Sequence, residues 1–250
     1  METLGVIPAR YHSTRLAGKV LMEVAGKPLI QHVYERAQKA KRLDALWIAT
    51  DDSRVRAAAL AFGAEVVMTS PTHRSGTDRV AEAVKKVSVK VVVNIQADEP
   101  LVAPAMVDLL VETLQKEKEA VGVVTLYRPL RRLADKQDLS NPNVVKVVMD
   151  RAGYALYFSR AQIPFYRKSP LPKSSFYLKH LGFYAYRKTH LLRFAEMPPS
   201  ALERAEGLEQ LRLLENGEKI RLVESPFNTI GVDTHEDLEK VRKILEKHKG

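Results

Sequence analysis

The chain has no cysteine among its 250 residues. Disulfide bonds, thiolate zinc sites, iron–sulfur clusters and a cysteine nucleophile are therefore excluded, and the composition suits a reducing compartment. No apolar run approaches the roughly 18 residues that a membrane span requires, and no basic residue precedes the first apolar run. We therefore predict a cytoplasmic protein without membrane insertion.

Negative charge is in short supply, because 40 Lys and Arg residues outnumber 30 Asp and Glu residues and leave a formal net charge of +10. This balance predicts an anionic partner, either a nucleic acid or a small anion such as a nucleoside triphosphate. The densest basic stretch, residues 239–249, interleaves lysine and arginine with glutamate at helical spacing, as a solvated helix face does. We predict no nucleic-acid partner and keep a nucleic-acid-binding protein as a rival hypothesis.

Short β-rich runs alternate with amphipathic helical patterns through the first half of the chain. Such alternation predicts a mostly parallel sheet with right-handed crossovers, and ligands then bind outside the carboxyl ends of the strands. The predicted strands are 4–8, 45–50, 64–68, 90–96 and 121–126, and the predicted helices are 30–41, 53–61, 77–87 and 104–118.

The second half begins with a predicted β-hairpin, in which residues 144–150 and 154–160 flank the turn Arg151-Ala152-Gly153. We interpret residues 127–190 as an insertion into one α/β domain that spans residues 1–250. The capping-box pattern of residues 234–237 predicts the start of the last helix. Further predicted elements are strands 180–186 and 219–224 and helices 189–196 and 206–216.

Residues 9–19, directly after the first predicted strand, combine three cations, two hydroxyls and a glycine. Arginine forks, lysine charges, hydroxyls and backbone amides together can wrap a polyphosphate, although an ordinary basic loop has the same composition. The position after the first strand of a parallel sheet favours the polyphosphate. A Rossmann dehydrogenase is not favoured because G-x-G-x-x-G is missing, and a Walker loop would need glycine at Ser13 and a hydroxyl at Val20.

Carboxylates follow two other apolar segments. Asp98 and Glu99 follow the predicted strand 90–96. An acidic side chain at this strand end could bind Mg²⁺ together with substrate phosphates, or the two residues could belong to a simple turn. Asp233 precedes the last helix and is either a second Mg²⁺ ligand or a helix N-cap. The turn at residues 75–79 suits backbone contact with a base or ribose, and equally a helix cap.

Nine segments, in this order, resemble the CMP-Kdo synthetases, the 3-deoxy-D-manno-octulosonate (Kdo) cytidylyltransferases. Each segment is a weak motif alone, but together they span residues 7–242. They are IPARYHSTRLAGK, ATDD, SGTDR, NIQADEP, NPNVVKVV, GYALYFSRAQIP, HLGFYAYR, LEQLR and GVDTHEDLEKVR.

The resemblance implies a Rossmann-like nucleotidyltransferase fold and the reaction of CTP with Kdo to give CMP-Kdo and diphosphate, for lipopolysaccharide biosynthesis. It also implies Mg²⁺ as cofactor and a homodimer, with the insertion 127–190 supplying sugar-binding and subunit contacts. A cytidylyltransferase for another acidic sugar, such as sialic acid, is the alternative. A glycosyltransferase with a similar nucleotide domain is a more distant rival.

The family's site residues are carried over by motif. Arg10, Lys19, Asp98 and Asp233 are the implied catalytic residues, and the two aspartates are the implied metal ligands. The implied nucleotide contacts are Pro8, Ala9, Arg10, Ser13, Thr14, Arg15, Lys19, Ser75, Gly76, Arg79 and Gln96. The implied sugar contacts are Gln96, Arg160, His180, Tyr184, Glu209 and Gln210.

Three departures from the family pattern are visible. Ala17 stands where TRLPGK has proline, Ala97 where QGDEP has glycine, and Phe165-Tyr166 where IPWDR is common. Ala97 adds a methyl group where backbone and nucleotide could approach closely. His180 opens an apolar strand, a setting typical of a packed histidine, so its family position alone supports a sugar contact.

Overall fold

A nine-stranded sheet forms the centre of the computed structural model, which describes residues 1–12, 16–73, 75–130, 136–167 and 177–247, with the backbone alone at 136 and 137. A separate ribbon of two short strands lies outside it. The strands are β1 Thr3–Ala9, β2 Glu23–Val24, β3 Lys27–Pro28, β4 Ala45–Thr50, β5 Glu65–Met68, β6 Val91–Asn94, β7 Val123–Pro129, β8 Lys146–Met149, β9 Ala155–Ser159, β10 Leu178–Arg187 and β11 Ile220–Glu224.

Helices cover both faces of this sheet. They are α1 Leu29–Ala37, α2 Ser53–Ala61, α3 Gly76–Val84, α4 Pro104–Lys116, α5 Lys136–Ser140, α6 Lys188–Glu196, α7 Ala201–Glu206, α8 Leu211–Glu215 and α9 His235–Lys247. Alternate strand residues serve opposite faces: Val91 and Val93 of β6 pack with α1, α2 and α4, while Val92 packs with α3, α6 and α8. Burial on both faces explains why β6 is a continuous run of valines.

The strand order is β11-β7-β10-β6-β1-β4-β5, with β8 paired to β10 and β9 paired to β8. Along this order every pair is parallel except those of β10, which is antiparallel to both β6 and β7. The predicted mostly parallel α/β sheet is therefore confirmed. The chain winds from β1 outward to β5 and returns to the other side of β1 at β6, so the winding reverses between β1 and β6. Crevices for ligands form at such reversals.

Most predicted elements appear with shifted ends, and one prediction is wrong. The helix predicted over 206–216 is confined to α8, and the preceding α7, which was not predicted, ends at Glu206 because Gly207 adopts φ 62° in the left-handed conformation. The ribbon of β2 and β3 was not predicted, since its strands have only two residues each.

The region 127–190 contains the predicted hairpin, β8 and β9, but it also contains β10. Because β10 lies between β6 and β7, this part of the region belongs to the central sheet. Its proposed parts in sugar binding and dimerisation stay predictions.

Helix α9 returns the end of the chain to its beginning. Leu238 and Val241 of α9 pack in a small apolar cluster with Leu16, Leu29 and Val232. The predicted capping box is confirmed, because Asp237 N donates to Thr234 Oγ1 at 3.2 Å and Thr234 N donates to Asp237 Oδ2 at 3.0 Å. Among the helices described, none combines the length and apolar character needed to cross a bilayer.

Candidate active site

Two neighbouring cavities open at the carboxyl ends of β1 and β6, with volumes of about 590 and 790 Å³. These strand ends are adjacent, since Ile95 N donates to Val6 O at 2.9 Å across the sheet. The two cavities share a wall made of Gln96, Asp98, Leu208, Glu209 and Gln210. Two ligands bound in them would therefore meet along this wall.

The first cavity collects residues predicted to bind the nucleotide from three separate segments. Ala9 is buried within β1 and does not line it. Ser13, Thr14 and Arg15 lie outside the described residues, and the nucleotide role of the whole set stays a prediction. The predicted residues that line the cavity are Pro8, Arg10, Lys19, Ser75, Gly76, Arg79 and Gln96.

The first loop is closed at its base by Tyr11 and Gly18. Gly18 N donates to Tyr11 O at 2.9 Å, and Gly18 adopts φ 67°, a conformation that favours glycine. A Cβ atom on Gly18 would lie 3.2 Å from the Tyr11 ring. The guanidinium of Arg54 stacks on the same ring, 3.4 Å from its centroid, and ties the loop to α2. Lys19 follows at the start of a short 3-10 turn, Lys19–Leu21.

Lys19, Asp98 and Asp233 form one charged group, which we call the Lys19 cluster. Lys19 Nζ lies 2.6 Å from Asp98 Oδ2 and 3.0 Å from Asp233 Oδ1, and it donates to Val232 O at 3.0 Å. Burial opposes the charge of Lys19, but the two carboxylates outweigh burial and raise its pKa above the ordinary value. The cluster stands at the wall between the two cavities, because Asp98 lines both of them.

Asp233 reaches this cluster because the chain before α9 is fastened to the chain after β6. Val232 N donates to Asp98 O at 2.9 Å, and the Val232 side chain is fully buried in the small apolar cluster under α9. Thr234, not Asp233, caps α9 through its hydroxyl. The alternative in which Asp233 serves as the N-cap is therefore wrong, and its carboxylate points toward Lys19.

The donor set around Asp98 and Asp233 fits a divalent cation that is also bound by substrate phosphates. Glu99 is half-buried beside them, and its Oε2 is buried without a hydrogen-bond partner among the described residues. Burial and the nearby charge of Asp98 raise the pKa of Glu99 to about 8, so Glu99 is mostly protonated at neutral pH. Within the described ranges no group of three or more His, Asp or Glu side chains is spaced to hold a metal. Two carboxylates, phosphates and waters are nevertheless a usual Mg²⁺ environment.

Helix α3 begins at the first cavity. The hydroxyl of Ser75 accepts from Asp78 N at 3.1 Å, so Ser75 caps α3. The helix-cap interpretation of the turn at residues 75–79 is therefore confirmed. Arg79 is nearly buried and is engaged by partners that the motifs alone did not reveal. Its Nη1 donates to Thr69 Oγ1 at 2.5 Å, and its Nη2 lies 3.2 Å from Asp51 Oδ1. Because Ser75 and Gly76 line the cavity, the backbone amides at the start of α3 are available to a ligand there.

The second cavity collects five of the six residues predicted to bind the sugar: Gln96, His180, Tyr184, Glu209 and Gln210. Three of their polar atoms, Tyr184 Oη, Glu209 Oε2 and Gln210 Nε2, are buried and have no hydrogen-bond partner among the described residues. Burial also raises the pKa of Glu209. Unpaired buried polar atoms are rare in native proteins, so a ligand with hydroxyl groups would satisfy them.

His180 lies in the wall of this cavity as a neutral side chain. Burial lowers the pKa of His180 to about 3. Its Nε2 lies 3.0 Å from Thr125 Oγ1, and its ring contacts those of Phe158 and Tyr184. The surroundings are those of a packed histidine that also borders the cavity, and contact with a sugar stays a prediction.

Arg160, the sixth predicted sugar residue, is not in the lining of either cavity. Its guanidinium donates to three backbone carbonyls: Pro142 O at 3.0 Å, Glu206 O at 2.6 Å and Gly207 O at 3.3 Å. The structure therefore places Arg160 behind the wall of the second cavity, where it joins two backbone segments.

Two residues that the motifs did not single out connect the cavities. Thr77 Oγ1 donates to Glu209 Oε1 at 2.6 Å, and Asn94 Nδ2 donates to Thr77 Oγ1 at 3.3 Å. Asn94 is a polar residue in an otherwise apolar strand, which was an available signal. Thr77 carried no such signal, because a threonine in the first turn of a helix is ordinary.

The amino-acid sequence of this chain is similar to those of known proteins over most of its length. The family model described as cytidylyltransferase matches residues 4–220. A 3-deoxy-manno-octulosonate cytidylyltransferase from Syntrophobacter fumaroxidans is 52% identical over 98% of this chain and 97% of its own length. One of the same name from Geobacter sulfurreducens is 49% identical over 98% of this chain and all of its own length.

Solved structures agree with the sequence relatives. A CMP:2-keto-3-deoxy-manno-octonic acid synthetase complexed with CTP superposes with a TM-score of 0.90 at 43% identity, over 99% of this chain and 100% of that one. A 4-diphosphocytidyl-2C-methyl-D-erythritol synthase from Anaerococcus prevotii shares the fold, with a TM-score of 0.63 at 13% identity over 98% of each chain. The Rossmann-like nucleotidyltransferase fold is thereby confirmed.

Proposed function

We propose, since the chain belongs to the family of 3-deoxy-manno-octulosonate cytidylyltransferases, that it transfers CMP from CTP to Kdo and releases diphosphate. The observation that carries this proposal is the position of the Lys19 cluster. It lies where two cavities meet, one rich in cations and backbone amides and the other rich in unpaired polar side chains. A nucleotidyl transfer between two bound substrates requires such a boundary.

The first cavity is the proposed CTP site. Arg10 and Lys19 line it and provide positive charge for a triphosphate, and the start of α3 adds backbone amides at Gly76. The relative solved with CTP matches this chain over nearly its whole length, which supports the same nucleotide here.

The second cavity is the proposed Kdo site. Kdo carries several hydroxyl groups, which can pair with the buried Glu209 Oε2 and Gln210 Nε2. Glu209 also accepts from Thr77 of α3, so the sugar contact and the nucleotide site share one hydrogen-bonded frame. This frame would hold both substrates at a fixed distance from each other.

The proposed chemistry is one in-line displacement. The anomeric hydroxyl oxygen of Kdo forms a bond to the α-phosphorus of CTP, the bond from that phosphorus to the β-phosphate oxygen breaks, and the hydroxyl proton is released. Nucleotidyl transfer depends mainly on positioning and charge stabilisation. Lys19 and Arg10 would stabilise the charge on the α-phosphate and on the departing diphosphate. Asp98 and Asp233 hold Lys19 in place through their contacts with its ammonium.

We propose Mg²⁺ as the cofactor, held by Asp98 and Asp233. When bound, this ion would neutralise phosphate charge and lower the pKa of the attacking hydroxyl. The position of the two carboxylates supports this assignment, because Asp98 lines both cavities and Asp233 lines the second.

Diphosphate release across four nucleoside triphosphates and a set of sugars tests the proposed function. We expect turnover with CTP and Kdo, dependence on a divalent cation, and a product with the mass of CMP-Kdo. Turnover with CTP and sialic acid in place of Kdo would identify the alternative sugar. Salt-dependent binding of DNA or RNA without CTP turnover would contradict the proposal altogether.

We further propose a homodimer that acts in the cytoplasm and supplies activated Kdo for lipopolysaccharide assembly. Two large apolar side chains of the region 127–190 support the dimer, because Leu156 is 61% exposed and Phe165 is 88% exposed. A contiguous exposed apolar patch marks a protein contact site, and we propose that these two side chains belong to such a patch.

A further inference from the structure

Lys146, in the first position of β8, has a fully buried side chain that the proposed reaction does not use. Its ammonium donates to three backbone carbonyls: Asn141 O at 3.0 Å, Val144 O at 2.6 Å and Arg160 O at 2.7 Å. An ammonium group has three N–H donors, so each donor has one acceptor. The arrangement therefore requires the charged form of Lys146.

Arg160 engages the same stretch of chain from the other side, through its donation to Pro142 O. Three carbonyls of residues 141–144, which we call the asparagine loop, thus accept from two buried or half-buried cations. Arg160 also donates to Glu206 O and Gly207 O, just before the segment of Glu209 and Gln210. Lys146 and Arg160 therefore connect the asparagine loop with the segment that forms the shared wall of the two cavities.

The asparagine loop is itself part of the second cavity, which Asn141, Asn143 and Val144 line. The asparagine loop lies before β8, which begins at Lys146. These three residues therefore border the cavity from a loop and not from a strand. The carbonyl contacts of Lys146 and Arg160 join this loop to the rest of the molecule, while Asn143 N and Val144 N form hydrogen bonds within the loop. Burying an ammonium group costs more free energy than burying an apolar side chain of similar shape. A lysine at this position is therefore explained best by the contacts that its ammonium makes.

We propose that Lys146 is a positioning residue for the acidic sugar. Lys146 holds the asparagine loop at the distance from Glu209 and Gln210 that binding of the sugar requires. The inference rests on the proposed function, since it assumes that the second cavity binds the sugar. Lys146 does not touch the substrate, and its effect passes through the loop. The asparagine loop itself borders the second cavity and not the first, because none of its residues lines the first cavity.

Kinetics of the full-length Lys146→Met variant test the proposal, because methionine keeps an unbranched side chain one atom shorter than lysine and removes all three donors. We expect the KM for Kdo to rise about tenfold or more, with the KM for CTP within about twofold of wild type. Lys188→Met is the matched control. Lys188 also donates to two backbone carbonyls, Lys85 O and Val87 O, but it lines neither cavity. The control should leave both KM values unchanged.

Pro142→Gly keeps the test decisive if Lys146→Met fails to fold. This substitution loosens the exposed asparagine loop without a change in the core, and it should raise the KM for Kdo alone. Equal losses for CTP and Kdo, or an unchanged KM for Kdo in both variants, would overturn the proposal.

Amide hydrogen exchange separates this inference from the proposed function. The amides of Asn143 and Val144 donate within the asparagine loop, and their exchange should be faster in Lys146→Met than in wild type, whatever reaction the protein catalyses. If wild type does not turn over CTP and Kdo but exchange changes as expected, the proposed function fails and the contacts of Lys146 stand. If exchange in the asparagine loop is unchanged, the positioning role of Lys146 is refuted.

Discussion

Asp98 and Asp233 each contact the ammonium of Lys19, and the neighbouring Glu99 cannot substitute for either of them. Burial and Asp98 raise the pKa of Glu99 to about 8, so Glu99 is mostly protonated at neutral pH. We predict that Asp98→Asn and Asp233→Asn each lower kcat on the order of 100-fold or more, because the amide carries no charge for Lys19 or a cation. Diphosphate release measures this loss.

The control for these variants is Glu196→Gln, which removes an exposed carboxylate at the end of α6. Its turnover should equal that of wild type. The melting temperatures of all three variants should stay within about 5 °C of wild type, since none removes core contacts. An aspartate variant with full stability and activity within tenfold of wild type would disprove the roles assigned to the Lys19 cluster.

His180 makes stability depend on pH. Its pKa is about 3 in the folded protein and 6.5 when unperturbed, so between these values the unfolded chain binds a proton that the native protein excludes. Acid therefore favours unfolding in this range. From pH 7 to pH 5, the free energy of unfolding of His180→Gln should fall by roughly 2 kcal/mol less than that of wild type.

Denaturant titration at the two pH values measures this difference. His235→Gln, at the exposed start of α9, is the control and should retain the wild-type dependence. A His180→Gln variant with the wild-type pH dependence would show that folding does not lower the pKa of His180.

At the scale of elements, the break between α7 and α8 decides where Glu209 and Gln210 lie. Gly207 has φ 62° and Gly217 has φ 75°, and a Cβ atom at either position has no neighbour closer than 3.9 Å. Alanine at each should therefore lower stability by a similar amount, about 1 kcal/mol, through backbone strain alone. Only Gly207→Ala should also raise the KM for Kdo, because the segment after Gly207 lines both cavities.

Thermal unfolding and steady-state kinetics of the two glycine variants check this expectation. Equal stability losses with equal KM values would mean that the end of α7 does not control the sugar site.

At the scale of the molecule, the exposed apolar side chains of the region 127–190 predict self-association. Light scattering of wild type should give twice the chain mass, and Leu156→Glu should shift the mass toward the monomer, because a carboxylate cannot be buried unpaired at an apolar contact. Leu60→Glu is the control, since Leu60 is 47% exposed on α2 and outside that region. A monomeric wild type at about 50 μM, or a dimer unaffected by Leu156→Glu, would contradict the prediction.

Local patterns in the sequence were sufficient for much of the scaffold. The strand Thr3–Ala9 depends on a short β-rich run, the helix Ser53–Ala61 on helical spacing, and the capping box at Thr234 on a reciprocal hydrogen bond between near neighbours. The family motifs likewise identified residues that the fold brings to two adjacent cavities. Glycine at 207 was present in the sequence, but helical spacing on both sides concealed the break that it makes.

The sequence by itself determined an α/β protein with a cation-rich loop after its first strand and carboxylates at two later segment ends. Only the tertiary structure decided that Lys19 joins Asp98 and Asp233, that β10 runs antiparallel within the sheet, and that the guanidinium of Arg160 is used by backbone carbonyls. The physical reason is sequence separation. Contacts between residues 79 or 214 positions apart depend on how α9 and the sheet pack, and no local spacing encodes that packing.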